Sequence, residues 1–504
     1  MDVKYSDLGK RMAKGALWSV LMRFAVRSIG IVSTIVLARL LVPADFGLVV
    51  LATMLIAFLE VLSQLEFSTF LIVGRGVDRS YYDTAWTLSL LRGGLTAIVL
   101  VISASSAATF FAEPRLQNVI YALSLASLID GLANVGVVEF HKSLTFERDF
   151  HLLVRTKLVS FAVTVLSAVL LRNYWALVIG TLSGSLALLV FSYTMHPYRP
   201  RLSLARTRDI VRFSRWLLAN NLLYYAQRRS YAFVIGKILD ATSLGLYSLA
   251  REVSALATSE LAVPIRRVLL PGLSALADDP GAMRRAFLDG LSMIVMLALP
   301  VTVGIALVAD PLVRVAMGPK WVEAIPVMQI LAVAGIARVC SANSDAHLLA
   351  LNRPHLTTVL ACFGAVVGVL SMLWATATWG LIGAAWATSA TAACQLLLNY
   401  AIILRATGIP ATAVGAAIWR SIAACLAMSG AVLALLDRWP RTDAPFALWW
   451  ELCCACVVGA LTYVVAHLVL WRLSGAPPSA EKYALRVASG LAARFWSRRG
   501  TDRT

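Results

Sequence analysis

No connector between the apolar runs of this chain exceeds about twenty residues, too short for anything but a link. Membrane glycosyltransferase or ligase chemistry calls for a sizeable polar loop bearing acids and histidines, and only 6 histidines occur in 504 residues. The 7 cysteines (Cys340, Cys362, Cys394, Cys425, Cys453, Cys454 and Cys456) have no histidine at metal-ligand spacing and fall in apolar runs, where they suit packing. No metal or nucleophile constellation is visible, so neither an enzyme nor a cofactor is expected. A cleavable signal is not expected either, because Arg23 and Arg27 interrupt the first apolar run and no A-x-A site follows. Acids number 27 against 45 lysines and arginines.

Apolar residues dominate instead: 59% of the chain is hydrophobic and mean hydropathy is +0.77. At about 20 residues per crossing, the sequence divides into about fourteen spans, near 15–38, 45–66, 85–111, 117–140, 152–172, 174–195, 213–238, 244–264, 285–310, 324–350, 354–376, 380–404, 412–437 and 447–471. With a cytoplasmic N-terminus, the inner segments hold about 26 Lys and Arg and the outer loops about 8. Inner examples are Lys10, Arg199, Arg206, Arg266 and Arg267; the sparse outer set includes Arg39, Lys237 and Arg441. This bias predicts a multi-pass membrane protein with both termini cytoplasmic. The net charge of +18 then reflects topology and contact with anionic lipids, and no nucleic-acid partner is expected.

Cations nevertheless remain inside the spans. Arg23, Arg27, Arg92, Arg228 and Arg251 lie in apolar runs, where a charge costs at least ~2.5–3.5 kcal/mol and normally faces a bundle interior or a wet cavity. Several arginines in one bundle predict a transporter with a lumen for anionic cargo. Planar guanidinium forks bind anionic oxygens bidentately, which makes these five the candidate substrate ligands. Arg23 and Arg27, four residues apart, share one helical face. Glu60, Asp130 and Glu252 are candidates for ion pairing or for carrying a coupling proton. His141, His151 and His467 read as interfacial, and Gln395 with Asn399 as links between helices.

An internal repeat organises the spans. Val36–Leu48 is echoed by Val234–Leu246, with Gly47 matching Gly245 and Arg39 matching Lys237. Copies six spans apart are parallel, the arrangement of two lobes around a central cleft. The expected fold is all-α and polytopic: two six-helix lobes around a central cavity, plus two C-terminal helices. The boundaries are a lobe at 1–195, a basic cytoplasmic linker at 196–212, a lobe at 213–404, two spans in 405–471 and a basic tail at 472–504. Within that tail, 479–499 has the pattern of a helix lying on an anionic bilayer surface.

The repeat also carries a family resemblance. Leu37-Ala38-Arg39-Leu40-Leu41-Val42-Pro43-Ala44-Asp45-Phe46-Gly47 resembles the "LaRlLtPedfG" signature of bacterial oligosaccharide flippases, the Wzx-like polysaccharide transporters of the multidrug/oligosaccharidyl-lipid/polysaccharide exporter superfamily. Trp175-Ala176-Leu177-Val178 with Gly180, Leu244-Gly245-Leu246-Tyr247-Ser248-Leu249-Ala250 and Leu269-Leu270-Pro271-Gly272-Leu273-Ser274 resemble further elements of that branch, in the same order. One departure is Leu65-Glu66-Phe67-Ser68, where the family has an Asp-Leu-Gly-Leu type of ending. The resemblance implies alternating-access flipping of an oligosaccharide linked to undecaprenyl pyrophosphate, serving synthesis of an exopolysaccharide, capsule or O-antigen. It also implies cavity arginines on the first and eighth spans, a monomeric transporter, and a polysaccharide polymerase and chain-length regulator as partners. A lipid II flippase and a drug or cation antiporter are the neighbouring alternatives. The antiporter should favour acids over arginines in its cavity.

Overall fold

The computed structural model describes residues 2–63, 67–74, 76–256, 258–262, 276, 279–439 and 445–475. Helix boundaries follow local chemistry. Helix α1, Asp2–Leu40, stops short of Pro43, and α2, Pro43–Leu62, starts on that proline, whose fixed φ suits a first helical position. The Asp45 carboxylate accepts the Val42 N–H at 3.3 Å across this turn. Beyond the short α3, Phe67–Val73, helix α4 covers Arg79–Phe110 and is capped by Asp78, which accepts the Ser80 N–H at 3.1 Å.

Helix α5, Arg115–Gly131, is followed by a 3-10 turn at Val135–Val138 and the short α6, Glu139–Lys142, with a bend of 64°. The sequence predicted a straight span over 117–140. It breaks because Asn134 turns its side chain onto the backbone, accepting the Gly136 N–H at 2.9 Å. Helices α7, Phe146–Leu171, α8, Trp175–Met195, α9, Thr207–Ile238, and α10, Ala241–Ser254, follow. The eighth predicted span, 244–264, is thus a helix only to Ser254, succeeded by a π-helical turn at Thr258–Ala262.

The remaining elements are α11, Pro280–Leu307, α12, Ala309–Ala316, α13, Ala324–Ser341, and α14, Ser344–Ala350. Then come α15, Pro354–Thr407, α16, Ala411–Arg438, and α17, Pro445–Leu473. The tenth predicted span, 324–350, is therefore two helices broken beyond Ser341. At 1.5 Å per residue, α15 would be about 80 Å long if straight, but it breaks at Gly380, whose φ of 60° and ψ of −141° are not helical. Its halves fold on each other. Gln395 Nε2 donates to the Leu360 carbonyl at 3.0 Å, and Ser371 and Thr391 hydroxyls meet at 3.0 Å. Gln395 is the helix link its sequence context suggested.

Among the described residues there is no strand, and ten helices are long and apolar enough to cross a membrane, or eleven with the bent α5–α6 pair. The protein is an all-α, multi-pass membrane protein. It divides into two compact units, Met1–Ser248 with Ala316–Lys320, and Leu249–Val315 with Trp321–Thr504. In the first, α1 packs on α7, with Trp18 and Phe150 rings 5.0 Å apart near one end and Leu37 and Leu41 against Ala168 near the other. In the second, α16 and α17 pack on each other and on α11, where the Tyr463 hydroxyl donates to the Met296 carbonyl at 2.7 Å. Glu66, Arg266, Arg267, Arg441, the 269–274 motif and the amphipathic 479–499 stretch lie outside the described residues.

Candidate functional site

Lipid tails are as apolar as leucine, so helices in a membrane associate by close approach and by polar links rather than by hydrophobicity. Glycines set that approach between α4 and α5. A Cβ on Gly93 would sit 2.6 Å from the Ser127 carbonyl oxygen, and one on Gly131 would sit 2.8 Å from that of Ser89. Arg92 and Asp130, the neighbours of these glycines, are thereby drawn into one cluster with Glu60 of α2, which feels the charge of both. The Asp130 carboxylate also faces the Ser185 hydroxyl of α8. No two of these charged groups approach within the 4.0 Å of a direct ion pair. Two acids thus share one guanidinium at long range.

Arg23 and Arg27 occupy another face of the same unit. Helix α1 meets α7 through Lys14, paired with Glu147 at 3.4 Å, and through Trp18. With 3.6 residues per turn, Arg23 and Arg27 lie about 140° and 180° around the helix from Trp18. They are turned away from α7 and half-buried, and the Arg27 Nε is inaccessible. Arg228 and Arg229 are exposed on α9, one turn after Tyr225, whose hydroxyl donates to the Met54 carbonyl of α2 at 2.7 Å. Arg251 and Glu252 belong to the second unit, where both contact other residues and the nearby Ser254 hydroxyl donates to the Met328 carbonyl at 3.2 Å.

The two copies of the repeat meet directly within the first unit. A Cβ on Gly47 would overlap the Ala241 carbonyl, and one on Gly245 would overlap the Pro43 carbonyl. Pro43 and Ala241 are themselves matching positions, so the contacts are reciprocal, as a two-fold relation requires. The matching cations behave alike: Arg39 Nε donates to the Ala316 carbonyl at 3.2 Å and Lys237 Nζ to the Phe110 carbonyl at 2.6 Å.

Sequence reasoning missed how the 196–206 stretch is held. It is an extended strap bound to the start of α4. Asp83, buried there, accepts the Tyr198 hydroxyl at 2.5 Å and the Arg201 N–H at 3.1 Å, with Arg79 at 3.8 Å. Burial, then the Asp83 carboxylate, push the Tyr198 hydroxyl far above its ordinary pKa. Asn134 Nδ2 donates to the Tyr198 carbonyl at 2.9 Å, and His196 faces Glu139 at 3.0 Å. The available signal was the polar stripe Ser80, Asp83, Thr84 and Thr87 at helical spacing in an otherwise apolar span. His141, expected at the interface, pairs with Asp149 at 3.3 Å, while His467 is buried against Tyr463.

Apolar helices that keep guanidinium and carboxylate groups at membrane depth define a membrane transporter. The comparisons with known proteins agree with the class. A model of the "Polysaccharide biosynthesis protein" family matches residues 36–326, and the chain belongs to that family. That range contains every motif on which the resemblance was read. The lipopolysaccharide biosynthesis protein WzxC of Escherichia coli (strain K12) is 28% identical over 66% of this chain and 68% of its own. The succinoglycan biosynthesis transport protein ExoT of Rhizobium meliloti (strain 1021) is 25% identical over 72% of this chain and 77% of its own. Among solved structures, the lipid II flippase MurJ in an inward closed conformation superimposes with a TM-score of 0.72 at 12% identity, covering 91% of this chain and 99% of MurJ. An inward-facing MATE multidrug transporter superimposes with a TM-score of 0.59 at 14% identity, over 75% of this chain and 94% of its own. The chain has the exporter fold and is a transporter, not an enzyme.

Proposed function

We propose that this protein flips an oligosaccharide linked to undecaprenyl pyrophosphate from the inner to the outer leaflet of the bacterial inner membrane, by alternating access. The observation that carries the reading is the pair of half-buried arginines on the face of α1 turned away from α7. Their charge and planar forks suit a pyrophosphate. Arg228 and Arg251 extend the candidate ligand set. The curated relatives' names add support, since they attach to lipopolysaccharide and succinoglycan biosynthesis. Polysaccharide polymerase and chain-length regulator are the fitting partners, with the transporter acting as a monomer.

The same reading takes fourteen crossings in two six-helix lobes, with α16 and α17 as the extra pair. Counting the two halves of α15 separately, and adding the bent α5–α6 pair, α9 and α10, brings the ten qualifying helices to that number. Both termini are then cytoplasmic. Reporter fusions at Asp240 and Arg441 should read periplasmic, and those at Arg206, Asp279 and Thr504 cytoplasmic. A cytoplasmic signal at Arg441 removes the last hairpin.

Arg92 has a different part from the α1 arginines. With Glu60 and Asp130 both feeling its charge, one guanidinium can balance only one of two carboxylates, which leaves the other to take up a proton. Glu252 is the further candidate for coupling or ion pairing. One proton moving down 100 mV supplies about 2.3 kcal/mol. Flipping in proteoliposomes should therefore accelerate under an imposed inward proton gradient, and Asp130→Asn should remove that acceleration. An Asp130→Asn variant that still responds fully to the gradient rules this cluster out as the coupling site.

A further inference from the structure

We infer that the 199–206 strap, with Arg208 in the first turn of α9, is a docking site for anionic phospholipid on the cytoplasmic leaflet, gripping acyl chains with two leucines and head-group phosphate with the arginines around them. The inference rests on the proposed topology, which puts the strap on the cytoplasmic side, and not on the cargo. The strap's backbone traces a V against α4. Arg201 N–H binds Asp83 at 3.1 Å, Ser203 N–H reaches the Thr87 hydroxyl at 2.9 Å, and Arg206 N–H returns to the Thr84 hydroxyl at 3.3 Å. The Arg206 side chain climbs further, its Nε donating to the Ser80 hydroxyl at 3.3 Å. From Ser80 to Thr87 the helix advances about 10 Å toward the apolar part of the span. Ser203 is therefore the deepest point of the strap.

The residues flanking that point are Leu202 and Leu204, 75% and 55% exposed. In extended backbone, residues two apart share a face. Because the intervening Ser203 N–H is tied to α4, these two leucines form a small apolar tip that the described residues leave largely exposed. Charge surrounds the tip on its shallow side. Arg201 and Arg208 are exposed, and neither has a side-chain partner among the described residues. Arg206 lies 4.9 Å over the Tyr81 ring, and Arg79, on the rim of the strap, is exposed as well. Two leucines at bilayer depth beneath several guanidinium groups match the cross-section of an anionic lipid, phosphate above and acyl chain below. Asp83 and Asn134 serve this surface by fixing the strap's path, which a free interdomain linker would not have.

Two measurements test the proposal. In native mass spectra of protein released from an equimolar mixture of phosphatidylglycerol and phosphatidylethanolamine, the wild-type chain should retain phosphatidylglycerol preferentially. Replacing Arg201, Arg206 and Arg208 by Gln should erode that preference by about fivefold for each guanidinium lost. Separately, a nitroxide on Leu202→Cys, in a variant without the native cysteines, should collide more with membrane-dissolved oxygen than with an aqueous nickel chelate. A nitroxide on Arg208→Cys should show the reverse. The Leu202 label leaves all three arginines intact and does not depend on the triple variant folding. An undiminished lipid preference in the triple variant, or a Leu202 label in bulk water, overturns the proposal.

Discussion

Arg27→Ala is expected to lower flipping by on the order of a hundredfold or more, the usual consequence of leaving a desolvated charge without its partner, while membrane abundance stays normal. The argument begins with position. In the proposed topology Arg27 lies roughly 18 Å along α1 from the cytoplasmic start of the span, too deep for its side chain to reach the inner interface, and its Nε is buried. Arg23, one turn shallower on the same face, can snorkel more easily. Arg23→Ala should therefore cost less than Arg27→Ala. Geometry matters as well as charge: Arg27→Lys keeps the cation but loses the bidentate fork, so it should recover only part of the activity. Flipping of a fluorescent polyprenyl-pyrophosphate oligosaccharide in proteoliposomes, with abundance followed by immunoblot, separates lost binding from lost protein. Full polysaccharide output from Arg27→Ala at normal abundance would defeat the assignment.

Apolar length made most of the helical layout legible. The interior of α7, α8, α11, α16 and α17 could be read directly, because a span is a simple physical requirement repeated along the chain. Departures occurred where local polar groups compete with the helix. Asn134 caps Gly136 and bends the fourth crossing, and the tenth predicted span breaks after Ser341. Hydropathy averages over such residues and cannot register a break of two or three positions. For the candidate site, the sequence picked out Arg92, Glu60 and Asp130 individually, but not that they share a cluster. That grouping depends on the Gly93–Gly131 approach between two helices, which carries no pattern along either one. The strap was hidden for a similar reason. Its charge was visible, whereas its attachment to Asp83 and Thr87 is a contact between segments more than a hundred residues apart.

Gly47→Ala and Gly245→Ala should each impair flipping as severely as a far bulkier replacement, because at both positions the first atom of any side chain already overlaps a backbone carbonyl. A backbone carbonyl at a helix start cannot swing aside as a flexible side chain can, so α2 and the start of α10 must separate. Those helix ends carry the repeat and lie on the outer side in the proposed topology, where alternating access requires a gate that closes and reopens. Arg39 and Lys237 add a donor to a carbonyl on either side of the contact. An added methyl therefore holds the outer gate apart rather than unfolding a lobe. Leu51, one turn deeper on α2 and fully buried against Gly236, provides the readout. A Leu51→Cys thiol should resist a membrane-impermeant reagent in the wild-type background and react quickly once Gly47→Ala is present. The double variant should be no worse than either single one, since both alanines break one reciprocal contact and neighbouring effects of this kind do not add. Gly430→Ala in α16, where an added Cβ meets nothing within 4 Å, should leave flipping unchanged. Normal flipping by Gly47→Ala with Leu51→Cys still protected would show that the crossing of the two repeats is a fixed joint instead of a gate.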